Sequence, residues 1–533
     1  MINLSFTSLY FPIFLLVVIL LYYVFPKKYR YLVLLLASLV FYIVMSWKSV
    51  FFIAFTTLSI YGLSLLITRN KNKENQYLLD NKETLTKEDK KAYKAKNKRI
   101  RKTFLILGIL SNIIALAVMK YLNFFIGNIN VVMSWFHSTN RLGLVNIFLP
   151  LGISFYTFQA IGYIVDVYWN KFPAEKNILK FSLFLTFFPK VMQGPILRYD
   201  DKDLSLYEGH DFKYDNITQG FVRMAWGYFK KLVIADTLMS YLSVVFADVT
   251  TMSGFEALAT VLIIFVQDYC DFSGYMDIAI GMAMCMGIKL PENFNHPYFA
   301  KGIDEYWRRW HMTLGAWFKD YVFIPLSVSK FSLWLGKKSK KLFKNFGKKI
   351  PGIFGLIVVW FLTGLWHGAS WNYVLWGLYF GIIIIIGIIF EPLVLWIYKK
   401  LHINYDCLPL NIWRHIRTLI LLAIGKLFFM ANSIQDVFFI IGRMFTTYNN
   451  SVNPNLSSVP GPVSMVLVLL LSIIVLVVDI IQERHPETSF IDKLNRKPIV
   501  LRWGLYIGLV VAIIWFGYYG GGLPVFEFGY VQF

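Results

Sequence analysis

Two histidines sit where a proton could be moved away from bulk water: His311 in YWRRWHMTL and His367 in LTGLWHGASWNYVLWG. A neutral imidazole takes a proton from a hydroxyl and later returns it, and its ordinary pKa near 6.5 suits that task. Acyl transfer from a thioester to an alcohol asks for little more than an orienting or oxyanion-stabilising group and exclusion of water. His367 lies in an apolar run, bracketed by Trp366 and Trp371, and fits the base. His311 lies in a more basic stretch beside Arg308, Arg309 and Trp310, and fits a second acid, base or positioning role. The arginines, with the eight lysines and no acid of residues 330–349, could attract an anionic donor. The competing reading is a histidine that only bonds across to a neighbouring helix. Metal binding has less in its favour. There is no HExxH and no CxxC, and no His or Glu lies three or four residues from either histidine.

Those histidines must be held by helices in a bilayer. The 533 residues are 57% hydrophobic and 16% charged, where soluble domains carry roughly 25% charge. Mean hydropathy is +0.55. Apolar runs of the roughly 17–25 residues that cross a bilayer recur from end to end. The fold class is therefore an all-α polytopic membrane protein. A β-barrel would show strands of about ten residues in alternation, which are absent. The net charge of +22 would suggest nucleic acid in a soluble chain. Here the basic residues sit between spans, so the charge reads as topology, with a lipid bilayer and no nucleic acid as the surroundings.

Spans are expected near residues 9–25, 31–47, 50–67, 103–119, 147–167, 221–246, 257–288, 351–368, 371–398, 417–430, 463–481 and 501–519. The loop 69–102 carries thirteen Lys and Arg against five Asp and Glu, so it is expected in the cytoplasm, with both termini outside. The uncharged loop 448–462 is expected outside as well. Residues 181–192 are too short to cross and run into Pro189, Gly194 and Pro195. They form a re-entrant segment or an interfacial turn. The run VQDYCDFSGYMDIAIG places Asp268 and Asp271 three residues apart on one helix face, with Asp277 beyond. Carboxylates there should face the interior of the bundle or its cavity. Trp307, His311, Leu314 and Phe318 recur at the spacing of one helix face.

The stretches LPLGISFYTFQAIGYIVDVY, FFPKVMQGPILR, GYFKKLVIAD, QDYCDFSGYMDIAIGMAMCMGIKLPENFNHPY, YWRRWHMTLGAWFKDYVFIPL and LTGLWHGASWNYVLWG follow one another in order. Together they resemble the membrane-bound O-acyltransferases, most closely the bacterial alginate O-acetyltransferase branch, densely over residues 149–377. The resemblance implies one integral-membrane domain, 1–533. Its fold would be a ring of roughly 11–13 transmembrane helices, with re-entrant and interfacial helices, around a central funnel. It implies that His367 matches the family's catalytic histidine and His311 the second histidine of the bacterial branch. Asp268, Asp271, Arg308, Arg309, Trp310, Trp366 and Trp371 become candidates to line the funnel or touch substrate.

The donor implied is cytosolic acetyl-CoA, a substrate, with no permanently bound cofactor and no metal. The product implied is an O-acetylated extracytoplasmic polysaccharide, alginate-like, cell-wall or capsular, made in the bacterial cytoplasmic membrane with a secreted or membrane-anchored acetyltransferase partner. The tail FGYVQF resembles a signature of this branch in which Tyr530 relays the acyl group, with Gly520–Gly522 letting the tail fold back. An aromatic anchor at the membrane interface is the other reading of that tail. The insert 69–102 is longer than the branch leads one to expect. Two rival functions stand beside acetylation. One is transfer of D-alanine or another acyl group from a carrier protein to teichoic acid. The other is a transporter using the intramembrane carboxylates, which inverted repeats would favour; none is visible.

Overall fold

The structure, a computed structural model, describes residues 4–519 apart from 138–139, 202–203, 345, 447–461 and 488–489. Tyr530, the triglycine before it and nearly all of the uncharged loop 448–462 lie outside the described residues. Among the described residues the chain is helical, and an isolated antiparallel bridge between Phe294 and Trp310 stands in place of any sheet. The chain packs as two compact units, residues 1–218 with 282–291 and residues 219–281 with 292–533.

The first unit contains α1 (Tyr10–Val24), α2 (Arg30–Ser46), α3 (Ser49–Asp80), α4 (Lys87–Trp135) and α5 (Ile153–Tyr168). Next come α6 (Ile178–Thr186) and α7 (Phe188–Val191), which together cover the segment too short to cross. The helix breaks at Phe187 because Pro189 brings no N–H and its ring crowds the preceding turn. The freed N–H of Phe188 donates to Ser38 Oγ on α2 at 3.1 Å. The break is buried, and protein supplies the hydrogen bond that lipid cannot.

The charged stretch 69–102 differs from its expectation as a loop. Helices α3 and α4 run on through it as a hairpin, turning only over residues 81–86. Lys, Glu and Arg are good helix formers, so a charged composition does not forbid a helix. Thr86 starts α4 with a capping box: Asp89 N donates to Thr86 Oγ1 at 3.1 Å and Thr86 N to Asp89 Oδ2 at 3.3 Å. Across the hairpin, buried Glu74 accepts from Arg101 at 2.7 Å, and on its own helix it pairs with Lys71 at 3.0 Å. The rings of Tyr77 and Tyr93 stack at 4.2 Å.

The second unit takes α8 (Tyr214–Tyr228) from residue 219 onward, a π-helical segment Phe229–Ala235, α9 (Asp236–Ala247) and most of α10 (Gly254–Cys285). Short helices follow: α11 (Ile303–Arg309), α12 (Met312–Phe318), α13 (Ile324–Ser327) and basic α14 (Lys330–Phe343). Long ones come next: α15 (Ile350–His367), α16 (Trp371–Lys400) and α17 (Leu408–Met430). The rest are α18 (Ile434–Thr446), α19 (Pro462–Arg484), α20 (Phe490–Asn495) and α21 (Ile499–Phe516). Gly364 of α15 lies against the backbone of Tyr373, and Gly377 of α16 against the Trp360 carbonyl. A Cβ at either position would push the two helices apart, so these glycines let α15 and α16 pack backbone to backbone.

Seven described helices are long and apolar enough to cross a membrane, α3, α4, α15, α16 and α21 among them. The protein is a multi-pass membrane protein. The hairpin gives a direct check by hydrogen exchange on detergent-solubilised protein. Amides of 70–80 and 87–101 should be protected and those of 81–86 fast. Glu74→Ala strands the buried Arg101 guanidinium at a cost of about 3 kcal/mol, so exchange across the hairpin should speed up by about 100-fold.

Candidate active site

The second unit gathers the charges expected on α10 and supplies partners for them. Lys231 Nζ lies 2.6 Å from Asp271 and 2.7 Å from Asp236. Lys230 Nζ lies 2.7 Å from Asp277 and donates to Ser273 Oγ at 2.8 Å. Arg223 reaches Asp277 at 3.0 Å and Glu292 at 2.6 Å. The π-helical segment carries both lysines, and such insertions are frequent at functional sites. It lies close to α10 because Gly227 faces Gly274; a Cβ on Gly227 would come within 2.6 Å of the Gly274 carbonyl. Asp271 is thus engaged in an ion cluster, whereas Asp268, one turn earlier, turns to a pocket.

His311 does not continue a helix. It stands between α11 and α12 in the left-handed region, φ 49° and ψ 48°. The even spacing of Trp307, His311, Leu314 and Phe318 therefore spans a break. The break exists because residues 293–295 run antiparallel to 309–312: Asn295 N donates to the Arg309 carbonyl at 2.9 Å, and Met312 N to the Asn293 carbonyl at 3.0 Å. Buried Asn293 accepts from Thr313 N at 3.0 Å and from its hydroxyl at 2.9 Å. His311 Nδ1 lies 3.4 Å from the same Asn293 oxygen. A proton on Nδ1 leaves Nε2 as the basic nitrogen. Burial pushes this imidazole down to about 3, so it is neutral at physiological pH.

His367 is the last residue of α15 and is buried. Its ring meets Trp366, Trp376 and Phe429 at centroid distances of 5.0, 4.7 and 5.5 Å. The Trp366 indole is also 5.9 Å from His311, so both imidazoles contact one side chain. Trp371, the other expected bracket, is 53% exposed at the start of α16.

Trp376 and Phe429 line a cavity with about 370 Å³ of empty space, its mouth included. Trp307, Trp310 and Phe380 form more of its wall. The pocket also holds Asp268 and Lys426, which form an ion pair. The Lys426 ammonium stands 4.5 Å from the Trp310 ring centroid, and 5.7 Å from those of Phe265 and Tyr298. The expected arginines go elsewhere. Arg309 bonds Glu305 at 2.8 Å and Glu483 at 2.9 Å, while exposed Arg308 pairs with Asp304 at 2.9 Å. Sequence reasoning missed Lys426, although a lone lysine in the apolar run LLAIGKLFFM is an intramembrane charge worth flagging. Trp376, Phe429 and Asn293 carried no signal that sets them apart from their neighbours.

A buried pair of imidazoles beside an aromatic pocket, on a multi-pass helical scaffold, is the outline of a membrane enzyme. Residues 172–434 match the model of the membrane-bound O-acyltransferase family. The chain is 32% identical to the "Probable alginate O-acetylase AlgI" of Pseudomonas aeruginosa, over 83% of this chain and 74% of that one. It is 34% identical to the "Peptidoglycan O-acetyltransferase" of Helicobacter pylori, over 53% and 54%. It is 30% identical to the "Teichoic acid D-alanyltransferase" of Bacillus subtilis, over 52% and 66%. The chain belongs to the membrane-bound O-acyltransferase family and is an O-acyltransferase.

The ion cluster yields a stability test. Lys231→Met leaves Asp236 and Asp271 buried without their cation and should cost about 3–5 kcal/mol. Adding Asp271→Asn should recover part of the loss. The coupling between the two changes should be about 1–3 kcal/mol in a double-mutant cycle on thermal unfolding in detergent.

Proposed function

We propose that this protein is a single integral-membrane domain, residues 1–533, that O-acetylates an extracytoplasmic polysaccharide. It takes acetyl groups from cytosolic acetyl-CoA, works in the bacterial cytoplasmic membrane with both termini outside, and hands acetyl to a secreted or membrane-anchored acetyltransferase partner. The observation that carries the reading is the buried His367 ring, packed on Trp376 and Phe429 of the aromatic pocket. The names of the relatives add support, since alginate and peptidoglycan are polymers outside the cytoplasm and both names specify acetyl transfer.

In the reaction, His367 is the general base. It takes the proton of the attacking hydroxyl as the oxygen bonds to the thioester carbonyl. The thiolate then leaves, and the imidazolium returns the proton to it. His367 stands at the carbonyl end of α15. His311, neutral and oriented through Asn293, positions the reacting groups or shares the proton. Trp310 and Trp366 wall the site. Water is kept out by the rings, which protects the thioester from hydrolysis.

Tyr530 is the first acceptor in this scheme. Its route back is open by chain length, because Tyr518 N donates to the Leu232 carbonyl at 2.9 Å and so fixes the end of α21 on the π-helical segment. The twelve residues from there to Tyr530 span at most roughly 40–43 Å. D-alanyl transfer to teichoic acid is the second reading, supported by the name of the Bacillus relative.

Full-length protein in membrane vesicles, given labelled acetyl-CoA, should place label on the C-terminal peptide, read by mass spectrometry. His367→Ala should cut transfer by at least about 100-fold. Label elsewhere than Tyr530 removes the relay. Unchanged polysaccharide O-acetylation in cells carrying His367→Ala removes the enzyme reading of that residue.

A further inference from the structure

Helix α19 is apolar until near its end, where Asp479 and Glu483 stand one turn apart on one face. An ionisable residue in a span is a functional candidate, and the reaction above uses neither of these. Both carboxylates reach the short antiparallel stretch that makes the bend at His311. Asp479 Oδ1 lies 3.3 Å from His296 Nδ1. Arg309 Nη1 donates to both Glu483 oxygens at 2.9 Å. His296 follows Asn295, whose N–H donates to the Arg309 carbonyl at 2.9 Å. One turn of α19 therefore holds both strands at the same end of the stretch. The Tyr269 hydroxyl also bonds Asp479, and its ring packs on the bridged residues Phe294 and Trp310 at 5.9 and 6.3 Å.

The other end of the stretch carries His311. There Met312 N donates to the Asn293 carbonyl, and the Asn293 side chain holds Thr313 and lies 3.4 Å from His311 Nδ1. A pair of strands this short is marginal on its own. Each strand also carries a left-handed histidine, His296 at φ 43° and ψ 60° and His311 at φ 49° and ψ 48°. Such a residue costs about 1–3 kcal/mol and persists only where its surroundings hold it. Asn293 holds one end of the stretch, and α19 holds the other.

We propose that Asp479 and Glu483 are positioning residues for acyl transfer: they clamp the far end of the stretch and so keep Asn293, and through it His311, in place. This rests on the reading of His311 as a group that positions the reacting atoms or shares the proton. Neither carboxylate touches the reacting atoms or takes a proton. The clamp acts through geometry, and a shift of about 1 Å at a reacting group can cost about 100-fold in rate.

The test is a double-mutant cycle on turnover, with full-length protein in permeabilised cells, their own polysaccharide and labelled acetyl-CoA. Asp479→Leu with Glu483→Leu severs both ties and suits an apolar span. It should lower kcat by at least about tenfold in the wild-type background. In a His311→Ala background, where His367 remains to support residual turnover, the same pair should lower kcat by less than about twofold, because the residue it acts through is gone. A merely structural effect would multiply in both backgrounds. Equal fold losses in the two, or wild-type kcat in the severed variant, overturn the clamp and leave the reading of His311 intact. Wild-type kcat in His311→Ala overturns both.

Two further measurements keep the clamp falsifiable. Should the severed variant fail to fold, Glu483→Ala, at a half-buried position, goes through the same cycle with an expected loss of about threefold that His311→Ala abolishes. Should His311→Ala show no turnover, hydrogen exchange decides: the Asn295 and Met312 amides should exchange at least about tenfold faster in the severed variant. Unchanged exchange there overturns the clamp.

Discussion

A charge withdrawn from water has to meet an opposite charge, and the second unit is arranged around that requirement. Arg223, Lys230 and Lys231 stand on α8 and the π-helical segment after it; Asp271 and Asp277 stand on α10. Breaking such a pair costs far more than forming it yields, because the survivor is left buried and uncompensated. The rotation of α10 is therefore fixed by its aspartates. Two further residues inherit that rotation. Asp268 is carried to the pocket wall, and Phe272 sets its edge against the His311 ring at 4.7 Å. The ion cluster touches neither histidine in these contacts, yet it orients what does.

The aromatic wall answers a different need. Rings are rigid, bury large areas with few torsions and meet edge to face, as Trp307 does with Trp376 at 5.4 Å and Trp360 at 5.1 Å. Such walls hold their shape when empty. Glycine lets them close up: Gly364 and Gly377 bring α15 and α16 into backbone contact, which delivers Trp376 to His367. The left-handed backbone at His311 costs about 1–3 kcal/mol for a residue with a side chain. It persists because Asn293 and the short antiparallel stretch around it hold the bend from both sides.

Much of this was legible in the sequence. The long apolar runs became helices close to where hydropathy placed them, and Pro189 marked the broken segment. The aspartates of α10 were recognisable as charges that needed an interior. What sequence could not supply was the partner of each charge. Lys231 and Asp271 are forty residues apart, and Lys426 and Asp268 much further; nothing local selects those pairs. The helical hairpin at 69–102 was hidden for a related reason. Its composition is that of a solvated loop, and the bonds that order it, Glu74 with Arg101 and Tyr77 with Tyr93, join its two arms. The bend at His311 is set by residues fifteen and more positions earlier, so periodicity alone read through it.

The two imidazoles are held in unlike ways, and the difference bears on how they divide the proposed work. His311 hangs from a bend whose backbone is hydrogen-bonded on both sides, with its Nδ1 3.4 Å from the Asn293 side-chain oxygen. His367 ends a helix, with its ring packed against Trp366, Trp376 and Phe429. A base that must accept a proton from one oxygen and return it to a departing sulfur needs to serve two positions in turn. Under the proposed reaction, the end of α15 would carry the residue that moves the proton, and the hydrogen-bonded bend at His311 the residue that sets where the reacting atoms stand.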